Sequence, residues 1–313
     1  ALTEPNSIVI TRAMADKYFP GENPMGKIME ADPYNSGEMM HLQVTGIAEN
    51  VPVHSHFHFD FLISYMNQRE DLTRFNPGPF EEMHLWFQKY LRQMEIFSEV
   101  SENRFGISHF ILIDSLNFVF ELVGATKTYL SLFEVPDLVR EIIKFAFNLN
   151  VRVQEAFFNN TPSYYGGTFS NMVQWVPGRV ISESVDPFHM TSVEDDVEWG
   201  EENVQRMFNH FDGGVLHIHS NGRHLLNAVS RLEGLKAILM LDEKDNPPAF
   251  EVLSEIKEQT GDVPLVVAVN EDKFEYHLKN NTLPGGVFYW VKSSKSVDEV
   301  NRIMERVREY RIA

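Results

Sequence analysis

The sequence predicts an α/β fold, either a (β/α) barrel or a doubly wound parallel sheet, behind a small α+β segment. Three observations lead there. From about residue 84 onward, short apolar and β-branched runs alternate with helical periods. One such run, Val215 to His219, ends at Ser220-Asn221-Gly222 and puts His217 and His219 two apart, hence on one face of a strand. Residues 1 to 65 do not share this rhythm.

Composition narrows the class. The chain has 313 residues, enough for one large domain or a medium one plus a small one, and its 43% hydrophobic and 12% aromatic content supports a real core. A net charge of −18 argues against nucleic acid or an anionic membrane surface as the partner. There is no cysteine, which removes disulfides, thiolate nucleophiles and Cys-bound metal. No apolar run approaches the roughly 20 residues of a membrane span. The chain opens at Ala1 with neither a signal peptide nor an initiator Met, as expected of a processed product, an excised piece or a gene fragment.

In order, Ser7 to Ile10 reads as a strand and Thr11 to Tyr18 as a helix with Met14, Tyr18 and Phe19 as its apolar side. Pro20, Gly21, Pro24 and Gly26 make a turn. His41 to Ile47 alternates as a half-buried strand should, and His54 to Phe61 alternates more strictly. There His54, His56, His58 and Asp60 share one face, with Phe57, Phe59 and Phe61 on the other. The three histidines read as the polar face of a half-buried strand rather than as metal ligands.

Residues 66 to 83 are polar and then turn-rich at Asn76-Pro-Gly-Pro79, and read as a linker. A helix is expected over Phe80 to Val100, a strand over Ser108 to Asp114, and a long helix from Val135 through Phe158 with Pro136 in its first turn. Strand Arg179 to Ser184, helix Glu198 to His210 and strand Val215 to His219 follow, then a helix over Arg223 to Leu232. Strands at Leu235 to Leu241, Val263 to Val269 and Gly286 to Val291 alternate with helices at Ala249 to Gln259, Phe274 to Leu278 and Val297 to Tyr310. These are about six βα units, with strands too apolar for a one-sided sheet.

Two resemblances sharpen the reading. Glu4-Pro-Asn-Ser-Ile-Val-Ile-Thr, Lys17-Tyr-Phe-Pro, Asn23-Pro-Met-Gly-Lys27, Val44-Thr-Gly-Ile47 and Ser55-His-Phe-His-Phe-Asp-Phe61 occur in order. Together they resemble the end of the MacB-like periplasmic core domain of ABC-transporter permeases, without that family's flanking transmembrane helices. The second involves Glu134-Val-Pro-Asp-Leu-Val139, Ile181-Ser-Glu-Ser184, Met190-Thr-Ser192, His217-Ile-His-Ser-Asn-Gly222 and the helix Asn301 to Tyr310. These are similar to the later part of the uroporphyrinogen decarboxylase superfamily, which includes corrinoid-linked methyltransferases. The second resemblance implies a partial or complete (β/α)8 TIM-type barrel over residues 84 to 313, of which two strands are missing or supplied unconventionally. It implies a methyltransferase-like or decarboxylase-like enzyme, zinc, a small-molecule substrate, a corrinoid protein as partner and a cytoplasmic location. The first implies a fused periplasmic-type segment and a transporter partner. The competing expectation is a non-enzymatic periplasmic interaction module with an inactive barrel remnant.

The departures shape the expected chemistry. His217 matches the His of the methyltransferase His-x-Cys pair, but His219 stands where the first Cys would be, and the last strand offers no thiol. Two imidazoles and a carboxylate still suit Zn²⁺, as a harder Lewis acid. Ser184 matches the serine of the decarboxylase strand motif, whereas that branch's early Arg-rich loop, early Asp and late His have no counterpart here.

From the residues themselves, Glu183, Asp186, His217, His219 and Asp242 fall near the ends of three successive strands, where a parallel sheet gathers its ligand site. His217 and His219 are expected as metal ligands or acid/base groups, with Asp242 or Glu183 as third ligand or orienting carboxylate. Glu183, Ser184, Asp186 and His219 form the expected catalytic set. Arg223, beside Gly222 at a helix start, and Tyr165, in the loop Tyr164-Tyr-Gly-Gly167, are the expected substrate contacts. His189 and His224 are secondary candidates.

Overall fold

The computed structural model describes residues 6–31, 39–50, 61–63, 72, 75–78, 81, 83–102, 104–109, 115–292 and 295–311. The chain divides into two compact units, Ala1–Asn76 with Leu122–Thr126, and Pro77–Glu121 with Lys127–Ala313.

In the first unit, Thr11 ends strand β1 (Ser7–Thr11) and its Oγ1 accepts from the Met14 N–H at 3.4 Å, capping helix α1 (Arg12–Tyr18). Strands β2 (Ile28–Ala31), β3 (Met40–Ala48) and β4 (Phe61–Ile63) complete a sheet in the order β2-β3-β1-β4. β1 runs parallel to β3, and β2 and β4 are antiparallel to their neighbours. The expected alternation holds in β3, where Leu42 and Val44 are buried with Ile8, Ile10 and Ala15. Residues His54 to Asp60, with the three alternating histidines, lie outside the described residues, as do most of the expected linker and residues 110–114 of the expected strand.

The second unit begins with α2 (Leu85–Ser101), whose N-terminus is capped by His84 Nδ1 accepting from the Trp86 N–H at 3.3 Å. β5 (Ser108–His109) follows, then α3 (Ser115–Glu134), broken where Gly124 takes φ 73°. α4 (Pro136–Asn160) carries its proline in the first turn as expected. An antiparallel hairpin, β6 (Gly167–Ser170) and β7 (Gln174–Pro177), was not anticipated, since each arm has only four residues.

From there the chain keeps the βα rhythm. β8 (Ile181–Ser184) leads through a 3₁₀ turn (Asp186–Met190), α5 (Val193–Asp196), a π turn (Val197–Glu201) and α6 (Glu202–His210) to β9 (Gly214–His219). The helix expected over Arg223 to Leu232 is instead a 3₁₀ turn (Ser220–Leu225) with one α-turn, α7 (Leu226–Val229). β10 (Leu235–Leu241), α8 (Leu253–Thr260), β11 (Leu265–Asn270), α9 (Glu271–Lys279), β12 (Val287–Lys292) and α10 (Val297–Glu309) complete the unit.

β8 to β12 form one five-stranded parallel sheet whose spatial order is the chain order. This singly wound order replaces the doubly wound alternative, in which the strand order reverses midway. Each crossover moves one strand in the same direction, so the handedness rule carries the helices to one face and aligns the strand C-termini along one rim. The opposite face is also dry, since Val215, Ala237, Leu239 and Val266 pack against Met172, Val176 and Val180. Both faces being buried explains the continuous apolar runs. Among the described residues no pairing joins β5-β6-β7 to this sheet or returns from β12, so what stands is an α/β fold with a five-stranded parallel sheet. No helix among the described residues is long and apolar enough to cross a membrane.

Candidate functional site

The C-terminal rim of β8 and β9 carries a cavity of about 530 Å³. Its wall is built from the ends of these strands, the 3₁₀ turn after β8 and the start of α3, and it includes Ser184, Asp186, His189, His217, His219 and Glu243. Strand register explains the convergence. Ser184 pairs with His217 across β8 and β9, so their side chains leave the sheet on one face, and His219 follows His217 on that face one period later. Asp186 then enters from the turn that leaves β8.

Three imidazoles surround one carboxylate oxygen. His217 Nε2 lies 3.0 Å from Asp186 Oδ1, and His219 Nε2 and His189 Nδ1 each lie 3.7 Å from it. His217 Nε2 is at hydrogen-bonding distance from Oδ1, while His217 Nδ1 and His189 Nε2 are buried with no hydrogen-bond partner among the described residues. The rings pack edge to face, His217 on His219 with centroids 5.2 Å apart and His189 on His219 at 5.4 Å. Burial pushes the Asp186 carboxyl up. The contact with His217 and the fields of His189 and His219 more than offset that, leaving it below its ordinary value. Burial pushes His189 the other way, down to about 4, against the pull of Asp186, so this ring is neutral at pH 7.

The outer layer fixes these groups. His219 Nδ1 contacts the Glu243 carboxylate. The Glu243 N–H donates to Ser220 Oγ at 3.0 Å, and Ser220 Oγ donates to the Leu241 carbonyl at 3.1 Å. Asn117 donates to the Ser184 carbonyl at 2.7 Å, tying α3 to the end of β8, and Ser184 Oγ accepts from the Asp186 N–H at 3.3 Å. His224 Nε2 donates to the Thr191 carbonyl at 3.0 Å, which makes it a brace between the two turns.

Several expected site residues lie elsewhere. Glu183 is fully buried on the sheet face opposite His217 and accepts from Asn150 of α4 at 3.5 Å, because adjacent strand residues point to opposite faces. Asp242 lies outside the cluster of Asp186, His217 and His219. Its Oδ1 accepts from the Ala249 N–H at 2.7 Å and faces Arg223 at 4.0 Å. Arg223 turns to Asp242 and Ser220 instead of the cavity, and burial lowers its pKa against the pull of Asp242. Tyr165 is 98% exposed at a positive-φ turn and does not line the cavity. Sequence reasoning missed Glu243, adjacent to the chosen Asp242, and the cavity face of α3 formed by Asn117, Phe120 and Glu121. The spacing i, i+3, i+4 of these three was the available signal.

The donor set fits a divalent cation. One nitrogen each from His217 and His219 and one oxygen from Asp186 all lie within 4.8 Å of one another. Donors about 2.1 Å from a shared tetrahedral ion stand about 3.4 Å apart, and the 3.0 and 3.7 Å separations bracket that value. Two imidazoles and a carboxylate, with one imidazole backed by a second carboxylate, form the usual nitrogen–oxygen pattern for catalytic zinc and other first-row ions. No family model, curated protein or solved structure matches the chain.

Proposed function

We propose that the unit Pro77–Glu121 with Lys127–Ala313 is a metal-dependent enzyme acting on a small molecule in this cavity, with His217, His219 and Asp186 holding the cation. The observation that carries the reading is the convergence of three imidazole nitrogens on Asp186 Oδ1. A cation held between these ring nitrogens and Asp186 Oδ1 would satisfy their lone pairs at once. Such an ion supplies Lewis acidity toward a substrate oxygen or a bound water. Ser184 and Asn117 brace the turn bearing Asp186.

The singly wound order of β8 to β12 supports reading this unit as part of a (β/α)8 TIM-type barrel of the uroporphyrinogen decarboxylase type. Within that type, methyl transfer or decarboxylation is the proposed reaction class. A zinc ion, a corrinoid-protein partner and a cytoplasmic location follow from the same resemblance. The nitrogen–oxygen donor set favours activation of an oxygen-bearing substrate over a thiol.

Elemental mass spectrometry of the full chain tests the site. We expect about one zinc per chain, lost in His217→Ala and in Asp186→Ala with the fold retained by circular dichroism. A wild-type chain that stays metal-free after supplementation with zinc, manganese, cobalt and ferrous iron overturns the proposal and favours an interaction module.

A further inference from the structure

The charge of the cavity wall points to the class of substrate. Among the described residues lining it are three carboxylates, Glu121, Asp186 and Glu243, and neither a lysine nor an arginine. Arg223, the expected anion-binding residue, is turned toward Asp242 and Ser220. A divalent cation at Asp186, His217 and His219 offsets two of the three negative charges, with Glu243 already committed to His219. One negative charge remains, and it belongs to Glu121.

Glu121 is placed rather than incidental. Asn117 is tied to the end of β8 through the Ser184 carbonyl, and Phe120 and Glu121 follow three and four residues later on the same face of α3. The Phe120 ring is held edge to face by Tyr129, with centroids 6.2 Å apart, and the Tyr129 hydroxyl donates to the Pro187 carbonyl at 2.6 Å. Phe120 and Glu121 both line the cavity, where an aromatic face and a carboxylate can together receive an ammonium group.

We propose that the substrate is a small molecule with two different ends: an oxygen donor for the cation at Asp186, His217 and His219, and an ammonium group received by Glu121 and Phe120. The inference rests on the metal reading above. A free carboxylate or phosphate end is disfavoured at Glu121, because a like charge would meet it with no lysine or arginine among the described wall residues to compensate.

The test uses the zinc-loaded full chain with ethanolamine and glycolate as probes, titrated by ligand-observed NMR with zinc content measured in the same samples. Ethanolamine is expected to bind about tenfold more tightly than glycolate. Glu121→Gln should abolish that preference and Glu121→Lys should reverse it, both with zinc content unchanged. Glu121 is exposed on the surface of its helix, so both variants should fold. Zinc present with no preference for ethanolamine, or a preference that survives Glu121→Gln, overturns the ammonium inference and leaves the metal site standing. Zinc absent from the wild type overturns the metal reading and, with it, the charge balance used here.

Discussion

Glu243 binds the Nδ1 side of His219, and the Nε2 side of the same ring faces Asp186 at 3.7 Å. A carboxylate on one imidazole nitrogen fixes the tautomer and leaves the other nitrogen with a lone pair. Glu243→Gln keeps the shape and weakens that polarisation. Metal affinity should fall about 10- to 100-fold, read by competition with a chromogenic chelator, while the melting temperature of the metal-free chain stays within about 2 °C. Unchanged affinity would show that Glu243 does not orient His219 for a cation.

Gly222 gives His189 its space. A Cβ at this position would stand 2.1 Å from His189 Cδ2, and the ring is buried with little room to retreat. Gly222→Ala should cost about 1–3 kcal/mol in chemical denaturation and shift the imidazole resonances of His189 and His219. A variant as stable as the wild type would mean that the turn Ser220–Leu225 relaxes freely.

His109 sets an acid limit on stability. Its Nε2 donates to the Val180 carbonyl at 2.9 Å, and burial pushes its pKa down to about 4. The unfolded chain takes up a proton as pH falls through about 6.5, whereas native His109 does so only near 4. Stability from this residue is complete above about pH 6.5 and is lost as pH falls from there toward 4. Between pH 6.5 and pH 5 the loss is about 1–2 kcal/mol, and His109→Gln should remove that slope. Urea denaturation at the two pH values decides, and identical slopes would count against the assignment.

Arg223 and Tyr165 should part company with the cavity residues. Arg223→Met breaks the ties to Asp242 and Ser220 and should cost about 1–3 kcal/mol in stability, with metal content retained. Tyr165→Ala removes a side chain that is almost wholly in solvent and should change neither stability nor metal content measurably. Metal loss in either variant would extend the site beyond the cavity wall.

The parts of this architecture that local pattern controls were legible. Two-residue periodicity put His217 and His219 on one face, and the strand-ending Ser220-Asn221-Gly222 put them at a rim. Register is not local. Whether Glu183 or Ser184 faces His217 depends on the pairing of β8 with β9, which sets Ser184 opposite His217 and sends Glu183 to the helical side. The choice between Asp242 and Glu243 turns on the bend after Leu241. There the Ala249 N–H claims Asp242 and leaves Glu243 for His219. The hairpin of β6 and β7 was hidden for another reason, since four-residue arms carry too little alternation to register as strands.

β12 bears on how the protein behaves in a tube. Among the described residues it is paired along one side only, and Phe288 and Trp290 are 47% and 46% exposed on it. Open strand edges with aromatic side chains invite other strands to dock. The chain's net charge of −18 opposes that by keeping copies apart. Salt shortens the reach of that repulsion to about 3 Å at 1 M. Dilute buffer should therefore preserve this protein better than concentrated salt, and light scattering should rise with ionic strength as Trp290 loses its water.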